Sequence, residues 1–514
     1  MKLSQPILAL LGLTFLAPLG RAQFSWEDHY TVVSIPAPAG VDNQIGGLDL
    51  DAEGRLVACF HRGEVMKYDE VTGKWSLFAS GLHEPLGLYV EAAGTILVLQ
   101  RAELTRLHDR NGDGVADFYE TVSNDWGLSG NYHEFAFGLV KDSKQNIYLT
   151  LGTASNGSGV REEVRGKWNN TGGLTLDKFL GGGRHGTWSE KKEAVPRMYS
   201  RVPYRGCVLR IAPGSSQAQV YATGFRTPNG LYMDANDQLW VTDNQGDWVG
   251  ASKLHRVVPG GFHGHPASLL WGENPPDMEP SRLPVAQLDA LRVKAAGLFP
   301  QGDCANSMTQ ILPYKPSFGP LLTGDQAAEQ LITGEMNSSR LIRHLPDVVH
   351  GQHQGTGAHL LETESIGMGN NRILYTRDGA SLYLGKTHLS WPGREGIKKV
   401  TYNGKPFLQV DSVKLTPQGF AFTFNAPIED PAGLPAYKVE SYRIAYHAAY
   451  GSQKFELETH ACAHVAINGN VLTLQLDQKP RENRVYDIVL PKTLRSKLGE
   501  ISSTRFWYTA HRVY

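Results

Sequence analysis

Residues 230–241, GLYMDANDQLWV, carry the pattern that decides the fold. Apolar residues at both ends of this stretch follow the two-residue period of a β-strand. Residues 234–237 between them, DAND, are typical of a tight turn. The stretch therefore predicts two antiparallel strands joined by a short hairpin, with a glycine where the first strand begins.

The same hairpin pattern recurs along the chain. Copies lie at residues 46–57 (GGLDLDAEGRLV), 87–98 (GLYVEAAGTILV), 138–149 (GLVKDSKQNIYL) and, more faintly, 371–384 (NRILYTRDGASLYL), and residues 330–345 look like strands of a further unit. Strand units that repeat at intervals of about 40–50 residues or more are typical of a β-propeller, whose sheets stack around a channel. We count six units between about residues 28 and 403, which predicts an all-β fold with a six-bladed propeller.

Two long segments, residues 156–205 and 267–316, interrupt the repeats and are expected to be loops at the channel mouth. After residue 403 the pattern changes to separate strand-like segments, at residues 410–415, 419–424, 437–446, 471–476 and 485–490. The sequence thus predicts a propeller over residues 23–403, followed by a β-sandwich of the immunoglobulin or fibronectin type over residues 404–514. Few catalytic residue types cluster in the sandwich, so a packing or carbohydrate-docking role is expected there.

The first 22 residues predict export. Lys2 precedes an apolar stretch at residues 6–19, and small residues flank Arg21, as in a signal peptide cleaved near Ala22. The apolar core is too short to span a membrane, and no later segment approaches about 18 uninterrupted apolar residues. We therefore expect a secreted or periplasmic protein without a transmembrane segment. Because 50 Lys and Arg stand against 51 Asp and Glu, no basic surplus favours nucleic-acid binding.

The cysteines restrict the redox chemistry of the chain. Its four cysteines are Cys59, Cys207, Cys304 and Cys462, and none belongs to a CxxC or CxxCH motif. An exported protein can form disulfides, but four cysteines allow three pairings and the sequence does not choose among them. Without CxxCH, no covalently attached haem is expected, so any electrons must leave to an external carrier.

Residues 109–120, DRNGDGVADFYE, match the EF-hand type of calcium loop. Oxygen-bearing side chains occupy positions 1, 3, 5, 9 and 12 of the loop, with glycine at position 6, where the backbone must bend sharply. The flanking residues look like strands, so a structural ion within a blade is expected rather than a sensor; the alternative is an ordinary acidic turn. The predicted ligands are Asp109, Asn111, Asp113, Asp117 and Glu120.

Two further stretches carry candidate chemistry. His133 opens the segment HEFAFGL, which enters the third hairpin, and Arg226 lies in GFRTPNG, which enters the fourth. Both therefore stand at equivalent strand entries, which a closed propeller brings to one channel mouth. A single histidine is more often structural, and Arg226 is also suited to a surface salt bridge. The turn at residues 244–248 and the stretch 259–266 have residue types that can bind a metal or an anion; the alternative is a plain tight loop.

Taken together, these motifs resemble those of the soluble glucose/sorbosone dehydrogenases. The resemblance rests on QIGGL at 44–48, on His133 with GL at 138–139, on the GFRTPNG stretch and on QGD at 245–247. GMGNNR at 367–372 and YGS at 450–452 are similar to related secreted propellers that are often fused to cytochrome c. The family consists of secreted six-bladed propellers that use pyrroloquinoline quinone (PQQ) and calcium, and the resemblance covers nearly the whole chain.

The resemblance implies a role for each matching residue. His133 would be the general base that takes a hydroxyl proton as hydride leaves for the quinone, helped by a pKa near the working pH. Arg226 and Arg372 would hold the anionic cofactor, and Arg226 would also act in catalysis. The remaining residues would contact the cofactor or the sugar (Gln44, Asn229) or a calcium ion (Gly246, Asp247).

Three positions depart from the family pattern. Thr227 replaces the asparagine that follows the arginine, and Tyr132 replaces the aspartate that precedes the histidine. In the fifth unit, where the family has a cofactor-binding lysine, the chain has Glu335, Met336 and Asn337. A buried carboxylate without a cationic partner is costly, which weakens the expectation of PQQ.

The function expected from the sequence is oxidation of a sugar or sugar alcohol, with electrons passed to an external carrier such as a cytochrome c. Two other functions remain open. One is a calcium-dependent lactonase or hydrolase, in which the metal is a Lewis acid close to His133. The other is a non-catalytic propeller that binds a carbohydrate or another partner.

Overall fold

The computed structural model describes residues 24–155, 159–180, 196–320, 330–388, 392–430, 433 and 436–514. Strands make up 47% of the structure and helices 6%, in many antiparallel sheets, which confirms the predicted all-β class. The predicted signal peptide lies outside the described residues. Within them, no helix has the length and apolarity needed to cross a membrane.

Sheets 1 to 3 are antiparallel, with four strands each. Sheet 1 contains β2 (Ile45–Leu50), β3 (Leu56–Phe60), β4 (Val65–Asp69) and β5 (Lys74–Ala79). Sheet 2 contains β6 (Gly87–Ala92), β7 (Thr95–Leu99), β8 (Leu104–His108) and β9 (Phe118–Ser123). Sheet 3 contains β10 (Ala136–Lys141), β11 (Ile147–Leu151), β14 (Val208–Ile211) and β15 (Ala218–Ala222).

Sheets 4 to 6 follow the same plan. Sheet 4 contains β16 (Gly230–Met233), β17 (Leu239–Asp243), β19 (Ala251–Arg256) and β20 (Gly297–Pro300). Sheet 5 contains β21 (Met308–Pro313), β22 (Leu331–Glu335), β23 (Leu341–Val349) and β24 (Gln352–Leu360). Sheet 6 contains β25 (Asn370–Tyr375), β26 (Ser381–Lys386), β27 (Gly396–Tyr402) and the N-terminal strand β1 (Tyr30–Ile35).

The first strands of the six sheets contact one another in a closed series. The series runs β2, β6, β10, β16, β21 and β25, and β25 contacts β2 again. Strand β1 pairs with β27, with Tyr30 opposite Tyr402 and Ile35 opposite Ile397, so sheet 6 joins the two ends of this part of the chain.

Close packing between neighbouring sheets explains why the hairpin repeats begin with glycine. A Cβ atom at Gly87 would lie 1.9 Å from the carbonyl oxygen of Gly138, at the start of the next sheet. A Cβ atom at Gly230 would lie 1.9 Å from the carbonyl oxygen of Thr309. Any larger residue would push the sheets apart.

The C-terminal residues continue sheet 5. Strand β24 pairs with β38, with Thr356 opposite Tyr508. The sheet then proceeds through three further strands, and a second sheet lies against it with an apolar core that includes Leu345, Phe422 and Tyr486. The added strands are β38 (Arg505–Ala510), β35 (Arg484–Val489), β30 (Lys438–Arg443) and β32 (Phe455–His460); the second sheet contains β28 (Val410–Thr416), β29 (Gly419–Phe424), β34 (Val471–Leu476) and β33 (Cys462–Asn468).

Short elements complete the structure. Three two-stranded pairs are β12 (Ala154–Ser155) with β13 (Met198–Tyr199), β18 (Asp247–Val249) with β31 (Tyr446–Tyr450), and β36 (Arg495–Ser496) with β37 (Gly499–Glu500). The described α-helix is α1 (Val285–Leu291), and 3₁₀ turns lie at Trp26–Asp28, Thr171–Gly173, Leu176–Lys178, Pro266–Trp271, Pro280–Arg282 and Pro316–Phe318.

Two sequence-based expectations are corrected. Residues 267–316 are not simply a loop, since they contain α1, β20 and β21. Their apolar runs are short and do not alternate, so they give no strand period. Residues 437–446 form two elements instead of one strand: β30 stays in the C-terminal sheet, and β31 leaves it to pair with β18. The four cysteines are free, and burial raises the pKa of the Cys59 thiol to about 12.

Buried histidines predict that acid destabilises the fold. Burial lowers the pKa of His263 and His344 to about 3 and that of His511 to about 4, and it also lowers the pKa of His255. In the unfolded chain these side chains take up protons below about pH 6.5. The unfolded state therefore binds more protons between about pH 6.5 and 3, and stability falls as the pH falls through this window.

Thermal melts at pH 7 and pH 5 test this. The midpoint should be lower at pH 5, and His344→Leu should reduce the pH dependence by about 1.4 kcal/mol per pH unit. The exposed His464 is the matched control, because His464→Leu should leave the pH dependence unchanged. Equal slopes for His344→Leu and the wild type would show that His344 is not neutral in the folded state.

Candidate functional site

A pocket lies where the first strands of the sheets begin. Its volume is about 170 Å³. Its wall includes aromatic rings, amide groups, two arginines and His133. The rings belong to Tyr132, Phe135, Phe137 and Tyr450; the amides to Asn229, Asn244, Gln245 and Asn371; and the guanidinium groups to Arg197 and Arg226. The structure thus brings His133 together with Arg226 and Asn229, which lie more than 90 positions further along the chain.

His133 presents an unprotonated nitrogen at the pocket. Its Nδ1 lies 3.2 Å from the carbonyl oxygen of Thr153, which can only accept a hydrogen bond, so we assign the ring proton to Nδ1. No described residue forms a hydrogen bond with Nε2. Burial and the positive charge of Arg226 lower the pKa of His133 to about 3. The expected pKa near neutrality is therefore wrong: His133 stays neutral at working pH but is a weaker base.

The buried carboxylate of Asp247 positions the Arg226 side chain. Its Nε donates to Asp247 Oδ1 at 2.8 Å, and Nη1 lies 3.4 Å from Thr227 Oγ1. Asp247 Oδ2 lies 3.0 Å from His265 Nε2. Burial alone would raise the pKa of Asp247, but His265 and Arg226 lower it below its ordinary value. The described hydrogen bonds leave Nη2 of Arg226 available to a ligand.

Gly246 makes room for Arg226. A Cβ atom at this position would lie 2.1 Å from Arg226 Nε. Because both oxygens of Asp247 already accept hydrogen bonds, the structure gives Gly246 and Asp247 a part in positioning Arg226. Their predicted part in a calcium site stays a prediction. No group of three or more His, Cys, Asp or Glu is arranged to hold a metal ion anywhere in the described ranges.

Arg372 lies behind the pocket wall. Its guanidinium donates to the carbonyl oxygens of Gly46 (2.7 Å) and Leu86 (2.8 Å) and to Asn229 Oδ1 (2.6 Å). It is 3% exposed, no described carboxylate pairs with it, and burial lowers its pKa to about 10. Arg372 thus joins sheets 1, 2, 4 and 6, and its predicted contact with a cofactor stays a prediction.

Gln44 is likewise engaged within the protein. Its Oε1 accepts from Thr387 Oγ1 at 3.0 Å and from the backbone NH of His388 at 3.1 Å. Gln44 does not line the pocket, whereas Thr387 does. Its predicted contact with a ligand is therefore indirect in this structure, through Thr387.

In the predicted calcium loop, aspartate side chains accept hydrogen bonds from backbone NH groups of the loop itself. Asp109 accepts from the backbone NH groups of Gly112 and Gly114, at 2.8 and 2.9 Å, and Asp117 from that of Asn111 at 3.1 Å. Glu120 points elsewhere, because its carboxylate binds Arg106 Nη1 at 3.1 Å and His108 Nε2 at 2.9 Å. The donor types of the loop suit calcium, but Glu120 already has two other partners.

A larger groove of about 730 Å³ lies between α1 and the C-terminal sheet. Its charges largely pair within the protein: Asp289 with Lys294 (3.0 Å) and Glu456 with Arg443 (2.9 Å). His511 in its wall lies 2.9 Å from the carbonyl oxygen of Ala295 through Nε2. Only the smaller of these two cavities is lined by both His133 and Arg226, so we place the candidate site there.

Sequence reasoning missed Tyr450 and Arg197 as members of the site. Tyr450 lies in β31, more than 200 positions beyond Arg226 in the chain. The guanidinium groups of Arg197 and Arg226 lie 4.4 and 5.5 Å from the centre of its ring. The YGS stretch was noticed for its resemblance alone, and no periodic signal links it to the channel mouth.

Comparisons with known proteins find a family model for part of the chain and a set of distantly similar solved structures. Residues 64–173 match a family model described as a domain of unknown function, DUF7133. No curated protein matches the sequence of the chain. Solved structures that resemble it include PQQ-dependent soluble sugar dehydrogenases, as the predicted resemblance implies.

Three of these structures illustrate how distant the similarity is. The holo PQQ domain of pyranose dehydrogenase from Coprinopsis cinerea has a TM-score of 0.47 at 12% identity, over 72% of this chain and 95% of that one. PQQ-bound aldose sugar dehydrogenase from Streptomyces coelicolor has a TM-score of 0.43 at 15% identity, over 72% of this chain and 98% of that one. The apo form of the soluble aldose sugar dehydrogenase from Escherichia coli has a TM-score of 0.44 at 13% identity, over 73% of this chain and 100% of that one. At these TM-scores and identities, the similarity does not show which ligand this chain binds.

Proposed function

We propose that sheets 1 to 6 are the blades of a six-bladed propeller over residues 23–403, with residues 404–514 as a β-sandwich joined to blade 5. The closed series of contacts from β2 to β25 and back to β2 supports this proposal. The pairing of β1 with β27 supports it too, because it completes the last blade with the first strand of the chain. We further propose that residues 1–22 direct export and are removed.

The pocket at the channel mouth, in this proposal, binds a sugar or a sugar alcohol. Amide groups and a guanidinium offer hydrogen bonds to hydroxyl groups, and the aromatic rings suit the apolar faces of a sugar. The cavity of about 170 Å³ is smaller than the roughly 300–1,000 Å³ of pockets for drug-sized ligands. It therefore favours a ligand about the size of one sugar ring.

The proposed activity is that of a dehydrogenase-like propeller, with His133 as the base. The observation that carries this proposal is the neutral imidazole, whose Nδ1 is fixed by Thr153 while Nε2 has no described partner. A base in this state takes a proton from a ligand hydroxyl, and the guanidinium of Arg226 stabilises the negative charge that develops on the oxygen. Oxidation of the hydroxyl-bearing carbon also releases a hydride, so the activity requires a two-electron acceptor bound at the pocket, which then passes its electrons one at a time to an external carrier such as a cytochrome c.

The described residues fit PQQ poorly. PQQ is a multiply charged anion, whereas the described pocket wall offers one uncompensated positive charge, that of Arg197. Arg226 is paired with Asp247, and Arg372 does not line the pocket. Glu335 stands where the family pattern has a lysine, and its buried carboxylate accepts from the backbone NH of Asn306 at 2.9 Å. We therefore derive no step through PQQ.

The test combines binding and turnover. Calorimetry measures the binding of sugars and sugar alcohols, and a dye acceptor reports oxidation, with and without added PQQ and calcium. Binding with dye reduction is the expected result. Lactone hydrolysis in place of dye reduction would favour the lactonase, and binding without turnover would favour the non-catalytic carbohydrate-binding protein. Failure of every sugar to bind would refute the proposed function.

We also propose that the loop at residues 109–117 binds calcium through Asp109, Asn111, Asp113 and Asp117. An ion that binds only the folded state stabilises it by mass action, by about 2.7 kcal/mol at 100 times the dissociation constant. Chelation should therefore lower the thermal midpoint, and Asp113→Ala should remove that sensitivity. Glu120→Gln is the comparison variant, since Glu120 is engaged by Arg106 and His108. An unchanged midpoint in excess chelator would refute calcium binding.

A further inference from the structure

The charge of the pocket suggests which kind of sugar it takes. Among the described residues that line it, two are arginines and none is an aspartate or a glutamate. Asp247 balances Arg226 from behind the wall, through the contact between its Oδ1 and Arg226 Nε. Arg197 is exposed and has no ion pair among the described residues. Among the residues that the structure describes, one positive charge is thus left over at the pocket.

Tyr450, in the C-terminal part of the chain, contacts the guanidinium groups of both Arg197 and Arg226. The ring of Tyr450 lies within 6 Å of both, which is the range of a cation–π contact. Strand β31 reaches this position because it pairs with β18, where Trp248 is opposite His447 and Asp247 is opposite Tyr450. Tyr450 is therefore fixed by backbone pairing beside the residue that binds Arg226.

Further contacts fix this strand at the pocket. Gly451 donates its backbone NH to the carbonyl oxygen of Gly246 at 2.9 Å, and the Tyr446 hydroxyl donates to that of Gly264 at 2.6 Å. A Cβ atom at Gly250 would lie 2.4 Å from the backbone of Gly451 and Ser452. Such close backbone contact is expected where two elements have a defined relative position.

From these contacts we propose that the ligand is a sugar acid, whose carboxylate lies between Arg197 and Arg226, and that Tyr450 is the positioning residue that holds both arginines. Guanidinium groups bind carboxylates through parallel hydrogen bonds, which a neutral sugar cannot match. The inference rests on the proposed function, because it names the class of sugar that the same pocket binds. It also gives the C-terminal residues a part in ligand choice.

Calorimetry with two matched ligands tests the proposal. Glucuronate and glucose share the same ring and differ in a carboxylate, so the ratio of their affinities measures recognition of the acid. We expect glucuronate to bind at least about tenfold more tightly, which corresponds to one charged hydrogen bond. Added salt should reduce this ratio.

Variants locate the site of recognition. Arg197→Gln should reduce the ratio about tenfold, and Tyr450→Ala should reduce it while Tyr450→Phe preserves it, because phenylalanine keeps the ring. Arg443→Gln is the matched control in the larger groove and should leave the ratio unchanged. Circular dichroism confirms that each variant is folded.

The outcomes separate this inference from the proposed function. If glucose binds as tightly as glucuronate, or if Arg443→Gln alone lowers the ratio, the sugar-acid proposal is wrong while sugar binding stands. If neither ligand binds, and no other sugar does, the proposed function fails and the inference fails with it. If neither Tyr450 variant changes the ratio of the glucuronate and glucose affinities, Tyr450 does not position the arginines.

Discussion

His133→Ala should turn over its sugar substrate at least about 100-fold more slowly than the wild type, because loss of a general base usually costs 10²–10⁴-fold in rate. Ligand binding should change by only a few-fold, since the guanidinium and amide groups of the pocket remain. Dye reduction gives the rate and calorimetry gives the affinity. The exposed His464 provides the matched control, and His464→Ala should leave both unchanged.

The pH profile adds a second readout for His133. With a pKa of about 3, the imidazole stays unprotonated from pH 8 down to about pH 5, so His133 should impose no loss of rate within that range. The rate should fall only at lower pH, as Nε2 takes up a proton. A rate that halves near pH 6.5 would mean that the histidine is solvated like a free side chain. A His133→Ala variant with full activity would exclude it as the base.

Arg372→Met should destabilise the folded chain by roughly 2–6 kcal/mol, because two buried acceptors lose their donor at about 1–3 kcal/mol each. The guanidinium satisfies the carbonyl oxygens of Gly46 and Leu86 and the side chain of Asn229. Methionine fills much of the volume but leaves the carbonyl oxygen of Gly46 and Asn229 Oδ1 without a donor, whereas the carbonyl oxygen of Leu86 keeps the backbone NH of Gly138 at 3.4 Å. Thermal and urea melts measure the loss.

Arg377 is the matched control for this prediction. It lies in the turn that follows β25, and its Nη2 donates to the carbonyl oxygen of Asp51 at 3.0 Å, but its side chain is exposed to water. Arg377→Met should therefore change stability by about 0.5 kcal/mol or less. If Arg372→Met is equally mild, Arg372 does not brace the inner strands. Its role as a cofactor ligand would then deserve a direct binding test.

Hairpin periodicity predicted two of the four strands in each of sheets 1 to 4 and in sheet 6. Each quoted repeat coincides with a pair of strands; for example, residues 230–241 span β16 and most of β17. Such strands are visible because one face is buried, so apolar residues alternate, and because the turns need acidic residues or glycine. The strands β20 and β21 were missed because short, continuously apolar runs have no period of their own.

The candidate site was only partly visible in the sequence. His133 and Arg226 were found because they precede two repeats at equivalent positions. The hydrogen bond from Nδ1 to Thr153, the support of Arg226 by Asp247 and the ring of Tyr450 depend on contacts between sheets. Nothing in the sequence indicates that Glu120 is engaged by Arg106 and His108, because that contact follows from the pairing of β8 with β9.

The sequence by itself determined the all-β class, the repeated hairpins and the residue types that can do chemistry, since these depend on local periodicity and turn chemistry. The tertiary structure alone decided the chemical state of those residues. Burial beside Arg226 lowers the pKa of His133 to about 3, and the pairing of β18 with β31 brings Tyr450 to the arginines. Burial and electrostatic interactions depend on which distant segments become neighbours, and only the folded chain specifies that.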